Sequence, residues 1–144
     1  MTASTKPQGC TNFKLRQLTR VVSRHYDAYI ADSGLKTSQY SLLSNVAAHG
    51  PIRPVDLAAR MRMDASTLTR NLKSLIAEGW VAMGEGADAR SRLLTLTEAG
   101  QAKREEARTL WRKAQLALND RLGVERVLAL HTLIDDALAV LGDE

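Results

Sequence analysis

PVDLAARMRMDASTLTRNLKSLIAEG, residues 54–79, holds two helical patterns separated by a very short link, and the fold turns on reading them as a pair. Pro54 suits the first turn of a helix, where its missing N–H is not needed, and Val55, Leu57, Ala58 and Met61 give that helix an apolar side through residue 61. After Arg62-Met63, Asp64 is placed to cap a second helix, Ala65 to Glu78, and Gly79 stops it. At about 100° per residue, Leu68, Leu72, Leu75 and Ile76 fall on one side, while Ser66, Thr67, Arg70, Lys73 and Ser74 gather on the other. The polar side therefore offers hydroxyls and cations, with no carboxylate before Glu78. A face that is only solvated mixes both signs, because Glu–Lys pairs one turn apart support it. The bias suits a polyanionic partner.

Upstream, Thr37 or Ser38 can cap a helix over 37–49, with Tyr40, Leu42, Leu43, Val46 and Ala47 apolar and a stop at Gly50-Pro51. Before it, residues 11–31 space Phe13, Leu15, Leu18, Val21, Val22, Tyr26, Tyr29 and Ile30 three or four apart. Arg16, Arg20, Arg24 and Asp27 lie between them, which makes a long amphipathic helix ending at Asp32-Ser33-Gly34. Downstream, Trp80–Met83 and Leu93–Leu96 are strand-like runs on either side of a charged, glycine-containing stretch from Gly84 to Arg92. They predict a β-hairpin with a long tip, and two strands are marginal alone, so the hairpin must lean on the helices. Thr97 caps a long helix carrying Ala107, Leu110, Trp111, Ala114 and Leu118, and a last helix runs from about Val124 to Leu141.

The whole is one mainly α domain, residues 1–144, with a small β-hairpin wing: a winged helix-turn-helix over 37–97 between terminal helices. In that layout the second helix of the pair lies in the major groove. The planar fork of Arg70 can bridge O6 and N7 of guanine, and Ser66 and Thr67 can reach bases or phosphates. Lys73, one turn on, suits a phosphate, and Ser74 shares the same face.

Composition narrows the partner. The formal charge is +4, and residues 1–36 carry six Lys/Arg against two Asp/Glu while residues 97–144 carry seven against nine, so the cationic surplus lies in the first two thirds. Aromatic residues are 4% of the chain, too few for a platform that stacks single-stranded bases, which leaves duplex DNA. Cys10 is the single cysteine, and His25, His49 and His131 are scattered, so neither a metal nor another cofactor is expected. No apolar run approaches the roughly 18–20 residues that cross a bilayer, and MTASTKPQG lacks the apolar centre of a secretion signal; a cytoplasmic location is expected. Nucleophile elbow, phosphate loop and His–carboxylate pairing are all missing, and Asp135-Asp136 are adjacent and cannot share a helix face, so an enzyme is not expected.

The stretch GLKTSQYSLLSNVAAHGPIRPVDLAARMRMDASTLTRNLKSLIAEGWV and the later DARSRLLTLTEAG resemble the MarR family of bacterial transcription regulators, from about Leu15 to the C-terminus. The second stretch is the more specific: Asp88-Ala89-Arg90 matches the family's Asp-x-Arg wing element, and Leu96-Thr97-Glu98-Ala99-Gly100 its Leu-Thr-x-x-Gly helix start. The resemblance implies that Arg90 enters the minor groove with Asp88 orienting the tip, and a narrow A·T-rich groove attracts an inserted arginine. Arg92 would hold the DNA backbone, and Ala89 stands where the family commonly has a second arginine. The resemblance further implies a homodimer whose N- and C-terminal helices, 11–36 and 98–144, intertwine. Physical chemistry agrees, since those helices carry more apolar positions than the winged unit can cover. A two-fold dimer reads an inverted repeat with half-sites about one helical turn apart.

Three regulatory readings follow. Family members are commonly repressors released by a small phenolic or carboxylate effector bound between the dimer helices and the winged unit, for which His25, Tyr29, Tyr40 and Trp111 are candidates by position. Aromatic residues at helical spacing equally serve as core. One family branch senses peroxides through a lone cysteine near the start of the first helix, which makes Cys10 a redox candidate; position 14 departs from that branch in being Lys rather than Tyr. The remaining alternative is a winged helix used for protein contacts without DNA.

Overall fold

The computed structural model describes residues 6–84, 88 and 92–142. Six α-helices and one hairpin follow in order: α1 (Thr11–Ile30), α2 (Thr37–His49), α3 (Pro54–Arg60), α4 (Ala65–Ala77), β1 (Val81–Met83), β2 (Leu94–Leu96), α5 (Glu98–Leu122) and α6 (Val124–Leu141). No helix among the described residues is long and apolar enough to cross a membrane.

The helix ends show where local chemistry won and where a neighbour overrode it. Fully buried Ile30 ends α1, and Ala31–Ser33 tightens into a 3-10 turn. There the Ser33 hydroxyl donates to the Ile30 carbonyl at 2.7 Å and accepts from the Leu35 N–H at 3.2 Å. The helix α2 takes its cap from α1 rather than from its own hydroxyls: the Thr37 N–H donates to Asp27 Oδ1 at 2.7 Å, and the Lys36 N–H donates to Gln39 Oε1 at 2.9 Å. Thr37 is thus inside the helix, and its hydroxyl is buried without a hydrogen-bond partner. Asp64 occupies the N-cap position of α4 but makes no side-chain cap bond. Thr97 caps α5 as its sequence suggests, accepting from the Gly100 N–H at 3.0 Å and donating to the Gly79 carbonyl at 2.6 Å.

One core joins α2, α3, α4 and the hairpin. Leu43, Leu57, Leu68 and Leu75 are fully buried, together with Val46, Leu72, Val81 and Leu94; each such side chain contributes about 1.5–3 kcal/mol relative to exposure. Ile76, expected on the same side, is 38% exposed because it lies about 80° around the helix from Leu68, at the edge of the buried arc. The strands pair antiparallel with Val81 opposite Leu96. Ile52 bridges to Leu94, its N–H donating to the Leu94 carbonyl at 3.2 Å and its carbonyl accepting at 2.8 Å, which clamps the hairpin to the α2–α3 loop. Gly100 has a steric reason: a Cβ there would stand 2.0 Å from the Trp80 carbonyl oxygen. The start of α5 can press on β1 only through a residue without a side chain.

The remaining helices pack differently. The helix α5 packs along α1, with Ala107 and Ala114 two turns apart on one face and both fully buried, Ala107 within the main core. Phe13, Leu15 and Val21 of α1 stay more than half exposed, as do Leu128, Leu133, Val140 and Leu141 of α6.

Candidate nucleic-acid interface

With Leu68, Leu72 and Leu75 turned into the core, α4 must present its opposite side outward. Ser66, Arg70, Lys73 and Ser74 are exposed and Thr67 is half-buried. Two neighbouring hydroxyls turn back on the helix, Thr69 donating to the Ala65 carbonyl at 2.9 Å and Ser74 to the Asn71 carbonyl at 3.4 Å. The ion pairs among the described residues lie elsewhere, at Arg53–Asp56, Lys103–Glu106 and around Glu105. Arg70 and Lys73 therefore carry charge that no carboxylate of the described chain offsets.

The structure adds neighbours to this face that sequence reasoning missed. A polar cleft of about 220 Å³ sets Arg70, Asn71 and Ser74 beside Lys36, Ser38 and Gln39 at the head of α2. The run Lys36-Thr37-Ser38 at a helix start was the available signal, but it reads as a cap until tertiary packing turns it toward α4. At the head of α3, Arg53 grips Asp56 through two bonds, Nε at 2.8 Å and Nη2 at 3.2 Å, and these hold its pKa above the ordinary arginine value. Arg92 is exposed ahead of β2 and Asp88 is exposed at the hairpin; Arg90 lies outside the described residues.

A second feature lies where α1, α2 and α5 meet, a cleft of about 470 Å³ lined by Tyr40, Trp111, Thr37, Ser41, Arg104 and Arg108 among others. Tyr40 and Trp111 stack with ring centroids 6.2 Å apart and planes 28° apart. Arg104 Nε donates to Ser44 Oγ at 3.2 Å, and Glu105 lies 3.6 Å from Arg104 and 3.8 Å from Arg108. The site thus has a flat apolar wall, two cations against one carboxylate, and the partnerless Thr37 hydroxyl. His25 and Tyr29 do not line it. His25 of α1 packs against α5, with Nε2 against the Ala114 carbonyl at 2.8 Å and Nδ1 3.4 Å from Arg121, and Tyr29 packs on its ring at 5.2 Å.

Comparison with known proteins gives this geometry a context. Residues 33–91 match the MarR family model. The HTH-type transcriptional regulator YwoH of Bacillus subtilis, itself uncharacterized, is 30% identical over 93 residues, covering 65% of this chain and 68% of YwoH. The chain belongs to the MarR family. Among solved structures, the M. tuberculosis transcriptional regulator MosR in complex with DNA is 32% identical with a TM-score of 0.72, over 90% of this chain and 98% of MosR. A cysteine-to-serine mutant of E. coli MarR complexed with operator DNA is 25% identical with a TM-score of 0.78, over 88% and 92% of the two chains. MarR-family proteins are transcriptional regulators and not enzymes, and this chain is one of them, with the family's winged-helix fold. In this MarR-family chain Cys10 is exposed at the N-cap position of α1.

Proposed function

We propose that this MarR-family chain is a homodimeric repressor that reads an inverted-repeat operator with α4 and leaves it when a small aromatic carboxylate or phenol binds. One observation carries the reading: the outward strip of α4, with Ser66, Thr67, Arg70, Lys73 and Ser74, has two cations and no carboxylate. Arg70 is its base reader, Ser66 and Thr67 serve base edges or phosphates, and Lys73, Ser74 and Arg92 hold the backbone. Arg90 enters the minor groove with Asp88 orienting the tip. Operator DNA bound by a relative of 25% identity, and DNA bound by one of 32%, support the same partner here.

The dimer reading rests on α6. Around that helix, from Leu133 and Val140 through Leu130, Val127 and Leu138 to Leu128, apolar side chains sweep an arc of about 240°. Of these only Val127 is buried by its own chain. A helix apolar over so wide an arc needs cover on several sides, and a second copy supplies it with the open side of α1. On this reading residues 11–36 and 98–144 are the dimerisation helices and 37–97 the DNA-binding unit.

The effector reading rests on the cleft at α1, α2 and α5. A flat carboxylate there slides along the Tyr40–Trp111 stack, meets Arg104 and Arg108, and offers the Thr37 hydroxyl the acceptor it lacks. It relieves repression only if it favours the state that does not fit DNA.

Selection of duplexes from a random pool at stated salt tests the central claim, with enrichment of an inverted repeat expected. Retention of no duplex in dilute buffer would defeat it. Benzoate titrated into the operator complex tests the cleft: release is expected from the parent and not from Arg108→Leu.

A further inference from the structure

The turn that joins α3 to α4 is closed by the wrong residue type for its backbone. The Met63 N–H donates to the Ala58 carbonyl at 2.9 Å and the Arg62 N–H to the Ala59 carbonyl at 3.2 Å, the two bonds of a Schellman cap. That cap needs a left-handed residue, usually glycine, because a Cβ is strained there. Arg62 holds the position at φ 54°, the one non-glycine residue with positive φ among the described residues. Backbone strain of this kind persists where the side chain has a task elsewhere.

The Arg62 side chain reaches across the molecule. Its Nη1 donates to the carbonyl of Gly142, 80 residues on, at 3.2 Å. Gly142 caps α6, with its N–H on the Leu138 carbonyl at 2.8 Å, and the last turn of α6 has no basic residue of its own. A guanidinium there meets the unsatisfied carbonyls and the negative end of the helix dipole. The space there is tight: a Cβ on residue 142 would stand 2.6 Å from the Leu138 carbonyl oxygen, and it would also push the Arg62 guanidinium aside. The helix α6 otherwise packs broadly only against α5, so this contact ties it to the winged half.

We propose that Arg62 is a positioning residue that fastens the end of α6 to the turn setting α4 against α3, so that the aim of the recognition helix follows the terminal helices. The inference rests on the DNA-binding reading and gives it a device. In a two-fold dimer the aim of each α4 sets the distance between half-sites. A tie from the end of α6 to the α3–α4 turn therefore bears directly on that spacing.

Arg62→Gly is the informative variant, since it removes the guanidinium while relieving the left-handed strain, so folding is preserved or improved. Two readouts judge it. Amide hydrogen exchange in the last turn of α6 should quicken by about tenfold although the turn itself is better capped. Discrimination between the selected operator and the same half-sites moved apart by one base pair should fall from about tenfold or more to less than about threefold. Arg62→Lys, which keeps a cation of similar reach, should restore most of both. Unchanged exchange overturns the tie, and faster exchange with spacing discrimination intact overturns the positioning role. A parent protein that binds no duplex defeats the DNA reading instead, and the exchange arm still decides the tie.

Discussion

The winged half and the helical frame differ in what they leave open. Between α2, α3, α4 and the hairpin the closed positions are large, with Leu43, Leu57, Leu68 and Leu75 all at zero exposure. In α5 the fully buried positions are Ala107 and Ala114, while α1 and α6 leave Phe13, Leu133 and Val140 open, the last at 79%. The winged half closes over its large apolar side chains; the frame leaves most of its own open. If the proposed dimer holds, the large side chains left open in the frame are the ones a second copy covers, and the winged half is left to water and DNA.

The largest expected effect breaks this contrast directly. Leu133→Glu with Leu138→Glu puts two charges on α6 where a lone chain already exposes both residues, at 67% and 42%. A monomer would tolerate them almost freely. If a second copy covers that face, each burial of an unpaired carboxylate costs several kcal/mol, about 3–5 for a broken buried pair being a guide, and sedimentation should show monomers with a lowered melting temperature. Unchanged mass and melting would dissolve the distinction between the halves.

Next in size, Arg70→Ala sharpens the account of the winged half. If Arg70 is the base reader, its loss should cost about 1–3 kcal/mol on the selected operator and relax choice at one base step. Lys73→Ala, one turn along the same exposed strip, should weaken all duplexes alike and lower the salt slope by about one unit. Binding isotherms on matched and scrambled duplexes at several salt concentrations separate the two. If both variants behave alike, the division of the strip into reader and anchor fails.

The same contrast explains what was legible in the sequence. The winged half satisfies itself within about 60 residues, so its periodicity, its Thr97 cap and its Gly79 stop are local signals, and they mark the elements to within a residue or so. What depends on distant chain was not legible. The Asp27 carboxylate displaces the local hydroxyls as the cap of α2, Lys36 and Ser38 turn toward Arg70 only in three dimensions, and Arg104 and Arg108 reach the Tyr40–Trp111 cleft from a helix that reads as ordinary frame. His25, the neighbour of Tyr26, turns to the Ala114 carbonyl instead of the cleft, and Tyr29, one turn on, packs against the His25 ring, so position alone could not assign them to a cleft.

Tyr26 stands on the seam between the halves and gives the smallest expected effect. It lines both the cleft against α2 and the apolar groove between α1 and α6, and its hydroxyl donates to Gln115 Oε1. Burial raises its pKa above the ordinary value of 10.0. A raised folded-state value means that the native protein holds this proton more tightly than the unfolded chain, so the contribution is complete below pH 10 and is lost as pH rises through the higher folded-state value. Tyr26→Phe should cost about 0.5–1.5 kcal/mol at neutral pH for the lost hydrogen bond. Its stability should then decline less than the parent's from about pH 10 upward, because the phenol no longer titrates. Denaturant midpoints measured for both proteins between neutral pH and the alkaline limit provide the check. Parallel curves would mean that the phenol is as well solvated in the fold as out of it, and that the seam is open where the packing draws it closed.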